Sequence, residues 1–366
     1  MYLKLKKLYL YSIKLSGIIL ILLLVLSLCA PYINPYYFWP AALAGLAFPI
    51  LWAATFVNAL LLIKHRFWLL LMLVPMIAGL PMMLRHYNLP LKKSETGSKN
   101  EYTIISYNVH GFAGPGNGKS NYEKQVQVHH FLNDLEPAVA CMQEYAMKDR
   151  RHARYIDFLN SGLNLSHKHL SDFDRSFKGT SYTYVTSTNY PVLQEGTIFT
   201  METDICGIYT DIQFPEGTVR VYNIHLQSVK LLDEKQLLRP DKQLPSKENI
   251  FHYIRMTVSK LRTAYRIRSY QALAVSESIR KSPYPVIVAG DFNDTPASFA
   301  YRVIMDGMTD AAYLQNRGFN RTYAQSLYPV RIDHILISDQ LIPGNYKRYK
   351  IWLSDHFPVS ASFRFK

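Results

Sequence analysis

From Leu15 to Ile63 the chain runs without a single Asp, Glu, Lys or Arg, and a second such run covers Phe67 to Leu84. A bilayer's hydrocarbon core of ~30 Å takes about 20 apolar residues in helix. Helices satisfy their own backbone polar groups, as a water-free medium requires. The runs therefore predict three transmembrane helices over 12–33, 38–62 and 67–84, making residues 1–85 a membrane anchor. Pro31, Pro35 and Pro40 cluster where the first turn must form, because proline interrupts a helix ladder. Tyr32, Tyr36, Tyr37, Phe38 and Trp39 share that turn, and amphipathic rings favour the membrane–water interface. A cleaved leader fits residues 1–30 less well. Leu28 is large where a cleavage site takes a small residue, and two more apolar runs follow.

The net charge of +14 invites a nucleic-acid reading, but its location weakens it. Residues 1–94 hold nine Lys or Arg and no acid, leaving 32 basic against 27 acidic residues elsewhere. Most of the excess thus flanks the apolar runs, as topology signals do. The N-terminal tail carries Lys4, Lys6, Lys7 and Lys14, the 31–40 turn carries no charge, and the 64–66 turn reads Lys-His-Arg. Positive-inside logic puts the N-terminus and the 64–66 turn in the cytoplasm. The rest of the chain then stands on the outer, extracytoplasmic face of the cytoplasmic membrane; Arg85, Lys92 and Lys93 run against that orientation. Three cysteines, Cys29, Cys141 and Cys206, supply neither a disulfide framework nor zinc-ligand spacing.

Residues 86–100 read as a polar linker, and 101–366 as one soluble domain. Strand-like runs occur at 102–108, 138–143, 181–187, 196–201, 205–213, 218–225, 285–290, 331–337, 347–352 and 358–365, with helical patterns at 122–135 and 250–281. Many strands and few helices predict a two-sheet α/β sandwich. Six segments end strands with polar residues: Ser106-Tyr107-Asn108, Gln143-Glu144, Asn223-Ile224-His225, Gly290-Asp291-Phe292-Asn293-Asp294, Arg331-Ile332-Asp333-His334 and Ser354-Asp355-His356. Singly, each reads as turn chemistry. Together they offer carboxylates, carboxamides and histidines with no thiol or G-x-S-x-G nucleophile. That inventory suits hard-oxygen ligation of Mg²⁺, or of Mn²⁺, and phosphoryl transfer to water.

In this order the six segments resemble the signature blocks of the endonuclease/exonuclease/phosphatase superfamily, the GDFND and SDHFPV blocks most specifically. The resemblance covers about 102–366. It implies a four-layered α-β-β-α sandwich, DNase I-like, with the site at one rim of the sheets. It implies Glu144 and Asn108 at the metal, with Asp355 as a second metal-site carboxylate. Asp291 matches the residue that orients or deprotonates the attacking water, and Asn293 the one that holds that water or a phosphate oxygen. His225 and His356 match the histidines that contact the phosphate, and Asp333 matches the partner of His356. Three neighbours depart from that set. His110, where an acidic residue or Asn is common, reads as turn packing. His334 reads as a strand residue and Asp294 as the cap of the next helix.

Residues 228–268 hold ten Lys or Arg against four acids. They read either as a lid that recruits an anionic substrate or lipid headgroups, or as a solvated face. Arg150, Arg151 and Arg154 read as a solvated helix start. The function expected is a membrane-anchored, metal-dependent phosphodiesterase, a nuclease first and a lipid-headgroup or other small phosphoester hydrolase second. A non-catalytic membrane binding protein is the third reading, and no protein partner is inferred.

Overall fold

The computed structural model describes residues 2–87, 101–113, 120–148, 153–171, 180–200, 205–229, 247–313, 318, 320–326 and 329–366. Two compact units divide them. The first gathers Met1–Met83, Gln227–Gln271 and Ala297–Arg302, and the second gathers Leu84–Leu226, Ala272–Pro296 and Val303–Lys366. The expected linker 86–100 falls almost wholly outside the described residues, as do Arg150, Arg151 and residues 230–246 of the basic stretch.

In the first unit, helix α1 (Tyr2–Cys29) dominates. Leu5–Tyr32 is long and apolar enough to cross a membrane. The other two expected spans are not straight. Around the short α2 (Pro35–Phe38), the chain continues as α3 (Pro40–Leu46) and α4 (Phe48–Leu61), bent by 69°. Then come α5 (Arg66–Ala78) and α6 (Leu80–His86), bent by 54°. Pro49 sits at the first break, and Gly79 and Pro81 at the second; each proline lacks the N–H that would donate to the i→i−4 ladder. Among the described residues one helix is long enough to span, or up to three if each bent pair counts as one. A polar tie holds α1 to α4. Buried Asn58 donates to Ile13 O at 3.3 Å and to Ser16 Oγ at 2.8 Å, the kind of interhelical bond that persists where water does not compete.

The second unit is a sandwich of two six-stranded sheets, in strand orders β11-β12-β1-β2-β4-β3 and β5-β6-β7-β8-β10-β9. The first contains β1 (Tyr102–Asn108), β2 (Val139–Lys148), β3 (His167–Leu170), β4 (Thr180–Thr188), β11 (Leu341–Arg348) and β12 (Val359–Phe365). The second contains β5 (Val192–Phe199), β6 (Ile205–Phe214), β7 (Gly217–His225), β8 (Val286–Asp291), β9 (Met308–Asp310) and β10 (Asp333–Ser338). Alternating strand positions face the partner sheet. Ile104, Val139 and Cys141 thus meet Val219, Val221, Ile287 and Ile335 in one closed core. Cys141 is a buried hydrophobe there.

Helices cover the outer faces. α7 (Asn121–Leu135) and α8 (Ala153–Gly162) lay Val128, Leu132 and Leu159 on the first sheet, with Leu163 just past α8, against Ile105, Ala140 and Met142. Ser120 and Glu123 start α7 with a reciprocal capping box. The second sheet meets the end of α9 (Lys247–Arg280), where Ser278 Oγ lies 3.1 Å from Tyr222 Oη. A short α10 (Phe299–Ile304) follows β8. The four-layered sandwich is as expected.

Three local readings need correction. The strand expected at 347–352 is β11, which ends at Arg348 opposite Val359; the next partner, Pro358, has no N–H to extend the ladder. Strands β3 and β9 went unpredicted because four and three residues are too few for a periodic signal. Ser298, not Asp294, caps the next helix, accepting Tyr301 N at 3.1 Å.

Candidate active site

Each sheet contains one parallel pair, β1–β2 and β7–β8, with the other pairs antiparallel. In register, Asn108 stands opposite Gln143 and His225 opposite Asp291; Asn108, His225 and Asp291 each end their strands. Antiparallel β10 enters beside β8, so Asp333 stands opposite Asp291. Topology thus carries residues from across the sequence to one rim.

Local backbone conformation does the aiming. The register of β2 shifts between Met142 and Tyr145, and Glu144, inside that bulge, has φ +52°. A bulge re-aims a side chain, and a left-handed non-glycine residue is uncommon away from functional sites. Asn293 at φ +51° and His110 at φ +46° share that conformation. Gly290 answers a different need, since a Cβ there would lie 2.0 Å from Ile224 O. Only glycine lets β8 approach β7 so closely just before Asp291.

Asp291 is the hub. Its Oδ2 accepts Asn108 Nδ2 at 3.0 Å and Asn293 Nδ2 at 3.1 Å, while Oδ1 accepts the Asn293 backbone N–H at 2.8 Å. His225 Nε2 approaches Asp291 Oδ2 at 3.5 Å and His356 Nε2 approaches it at 3.7 Å. His356 Nδ1 lies 2.9 Å from Asp333 Oδ2. Asp291, Asp333 and His356 together present ligand-type atoms within 4.8 Å of one another. On the first sheet's side, Glu144 Oε1 lies 3.3 Å from His225 Nε2 and 3.5 Å from Asn108 Nδ2. Asp355 joins through His110, whose Nδ1 is 3.3 Å from Glu144 Oε2 and 3.6 Å from Asp355 Oδ2. All eight residues expected at the site come together at this rim.

Four further groups support them. His110 lies between two carboxylates, so its reading as turn packing is corrected; the turn is real, but it points the ring inward. Thr322 Oγ1 accepts the backbone N–H groups of Ile332 and Asp333 at 3.0 and 3.1 Å, fixing the start of β10. No sequence signal marks Thr322, because its role exists only where a loop passes β10. Ser354 Oγ donates to Asn108 O at 2.8 Å and ties the Asp355-His356 segment to β1. Behind the rim, Gln143 Nε2 donates to Asn223 Oδ1 at 2.8 Å, a buried bond joining the two sheets. His334 is a strand residue as expected, fully buried, with Nε2 3.0 Å from Asp294 O.

Electrostatics separate the carboxylates. Burial pushes Asp291 up to about 6, with Asp333 also raising it and His356 and His225 opposing. Burial also favours the neutral form of Glu144, but His110, His225 and His356 outweigh it and hold Glu144 at about 2. His356 goes well above the ordinary histidine range. Burial works against its charge, but Asp333 and Asp291 prevail. His110 is raised chiefly by its hydrogen bond to Glu144. At neutral pH the rim therefore pairs ionised Glu144 with a cationic His356, and Asp291 is poised to exchange a proton. Two groups pushed apart in this way are the pattern of an acid and a base.

The donors suit a hard divalent cation. Carboxylate and amide oxygens crowd one rim, and no thiol lies among them. His225 Nε2 is buried and faces Glu144 and Asp291 at 3.3 and 3.5 Å without meeting hydrogen-bond geometry among the described residues, so its bonding capacity is not fully used at the rim.

Two mixed sheets flanked by helices, with carboxylates, carboxamides and histidines gathered at one rim, make this an α/β sandwich of the DNase I-like class. The chain belongs to the endonuclease/exonuclease/phosphatase family, whose sequence model matches residues 105–356. A second model, described as a domain of unknown function, matches residues 11–86. No curated protein sequence matches. Among solved structures, an endonuclease/exonuclease/phosphatase from Beutenbergia cavernae is 14% identical with a TM-score of 0.50, over 73% of this chain and 72% of that one. One from Bacteroides vulgatus is 17% identical with a TM-score of 0.50, over 73% of this chain and all of the other. A mannosyl-6-phosphatase from Bacteroides thetaiotaomicron is 17% identical with a TM-score of 0.48, over 72% of this chain and all of the other. At these identities the likeness concerns fold alone.

Proposed function

We propose that this chain is a membrane-anchored, divalent-metal-dependent phosphodiesterase that hydrolyses nucleic acid, with residues 1–85 as anchor and 101–366 as catalytic domain. The observation that carries the hydrolytic reading is the pairing of buried Asp291, raised to about 6, with the Asp333–His356 couple on the same rim. Asn108, Glu144 and the GDFND block carry the nuclease reading, through their resemblance to the nuclease branch. Glu144, Asn108 and Asp355 would hold Mg²⁺ or Mn²⁺. When bound, the ion supplies neutralisation of a phosphate oxygen and polarisation of phosphorus.

The chain's own groups then do the following. Asp291, its carboxylate oriented by Asn108 and Asn293, takes a proton from the attacking water. The water oxygen bonds to phosphorus as the bond to the leaving oxygen breaks; the leaving oxygen takes up a proton from solvent, and Asp291 later returns its own to solvent. His225 Nε2 and protonated His356 donate hydrogen bonds to the phosphate as its charge grows. Asp333 keeps His356 charged and fixes which ring nitrogen faces the phosphate.

Activity is expected to rise with pH through the Asp291 value near 6, because deprotonation creates the base. It is expected to fall only well above neutrality, where His356 loses its proton. A kcat profile at saturating metal checks this. A flat acid side between about pH 5 and 7 would remove Asp291 from the base role.

The deciding experiment incubates the full chain in detergent micelles with supercoiled plasmid and Mg²⁺, beside His356→Ala. Nicking by the wild type alone supports the nuclease. No nicking by folded wild-type protein sinks it. Phospholipid headgroups are then the next substrate class, a reading favoured by the helix Leu5–Tyr32, which would hold the site near a bilayer. Absence of turnover on every phosphoester would revive a non-catalytic binding role.

A further inference from the structure

The long helix α9 carries seven Lys or Arg against two acids. From Asn249 to Ser276 it contains five Lys or Arg and no acid. Arg262, Arg266 and Tyr270 recur at four-residue spacing and so lie along one helix face. That face meets the aromatic turn that follows the long apolar helix. The Arg266 guanidinium sits 4.7 Å over the Tyr36 ring, Arg262 sits 5.9 Å over Trp39, and Tyr270 packs edge-on to Tyr36 at 5.2 Å. A separate segment adds a third cation, Arg302, 4.3 Å over Tyr32. Arginines from two distant stretches thus converge on one aromatic turn at the end of the one single helix, among the described residues, long and apolar enough to cross a membrane.

A guanidinium lying over a ring keeps its N–H donors in its own plane, pointing outward past the ring edge. Stacking therefore orients the fork and leaves its donors available, the arrangement that suits bidentate capture of a phosphate. None of these three arginines is ion-paired to a carboxylate among the described residues. Arg262 and Arg302 are exposed, as is Tyr32. Toward its N-terminus, the same face of α9 continues through Ile254 and its neighbour Phe251, 51% and 73% exposed. An exposed apolar turn next to a basic face is the composition of a helix lying in a membrane interface. Aromatic residues at the end of an apolar helix mark that same level.

We propose that Arg262, Arg266 and Arg302, stacked on Trp39, Tyr36 and Tyr32, form a docking collar for the headgroups of anionic phospholipids. This rests on the anchor reading of residues 1–85. Charge complementarity selects the occupant: three forked cations without carboxylate partners among the described residues, beside an aromatic turn of the kind that marks the membrane interface, attract an anionic lipid over a zwitterionic one.

The test uses the full chain in non-ionic detergent micelles, supplied with equal amounts of phosphatidylglycerol and phosphatidylcholine, with bound lipid counted by native mass spectrometry. The wild type is expected to retain at least about tenfold more phosphatidylglycerol than phosphatidylcholine. R262Q/R266Q/R302Q is expected to lose that preference. R280Q/K281Q, which removes two cations paired with Glu277 on the same helix, is expected to keep it. If the triple variant fails to fold, R262Q alone carries the test, with a preference lowered about threefold. Equal retention of the two lipids by the wild type, or an undiminished preference in the triple variant, overturns the collar. An alkaline carbonate wash of membranes separates the two readings. Release of the wild type fails the anchor itself, whereas retention without lipid preference fails only the collar.

Discussion

Asp291→Asn is expected to lower phosphodiester turnover by about 10²–10⁴-fold, the contribution typical of a positioned general base. The substitution keeps the shape of the side chain but removes the site that accepts the water proton. It should also remove the acid limb that Asp291, raised to about 6, contributes to the pH profile. Steady-state kinetics on plasmid, or on a chromogenic diester, reads both effects. A loss below tenfold, with the acid limb intact, would mean that another group activates the water. The neighbouring bonds predict a side effect. Asp291 Oδ1 accepts the Asn293 backbone N–H at 2.8 Å and Oδ2 accepts two amides. An amide group has one oxygen for these three donors, so one of them must lose its partner.

Glu144→Gln should be nearly as severe and differ in kind. The carboxylate lies among His110, His225 and Asn108 and stays ionised down to about pH 2. Removing its charge is expected to weaken Mn²⁺ binding, measured by calorimetry, by at least about tenfold, and to lower turnover by about 10²–10³-fold. Turnover unchanged at high metal would indicate that Glu144 only orients its neighbours. A metal-free readout follows from linkage. The folded value of Glu144 lies below the usual carboxylate value, so its stabilisation is complete above about 4.5 and is lost as pH falls toward 2. The Gln variant should therefore lose less of its melting temperature across that acid window than the wild type. An equal loss in both proteins would place the acid sensitivity elsewhere.

Most of the site was legible in sequence because its chemistry is written in short blocks at strand ends. Asp291 and Asn293 sit in one pentapeptide, and Asp355 and His356 are adjacent. A strand delivers its last residues to one rim whatever the loops do. His110 was misread for the opposite reason. Its place depends on a left-handed backbone at φ +46° and on a hydrogen bond from its own N–H to Asn108 Oδ1 at 3.0 Å. Neither leaves a trace in residue type. Thr322 was invisible because its two acceptor contacts depend on a loop lying against β10.

The sequence by itself determined the apolar N-terminal segment, the two-sheet class and the inventory of polar groups gathered at the rim. Hydrophobic runs, period-two alternation and polar strand ends are local properties of a chain, and local properties survive without knowledge of contacts. Only the tertiary structure decided which groups face one another. The bulge at Glu144, the glycine-permitted approach of β8 to β7 and the burial that lifts Asp291 to about 6 arise between distant segments. So does the stacking of the α9 arginines on the aromatic turn, where residues more than two hundred positions apart meet. Long-range packing and the loss of water set these features, and neither is encoded at a single position.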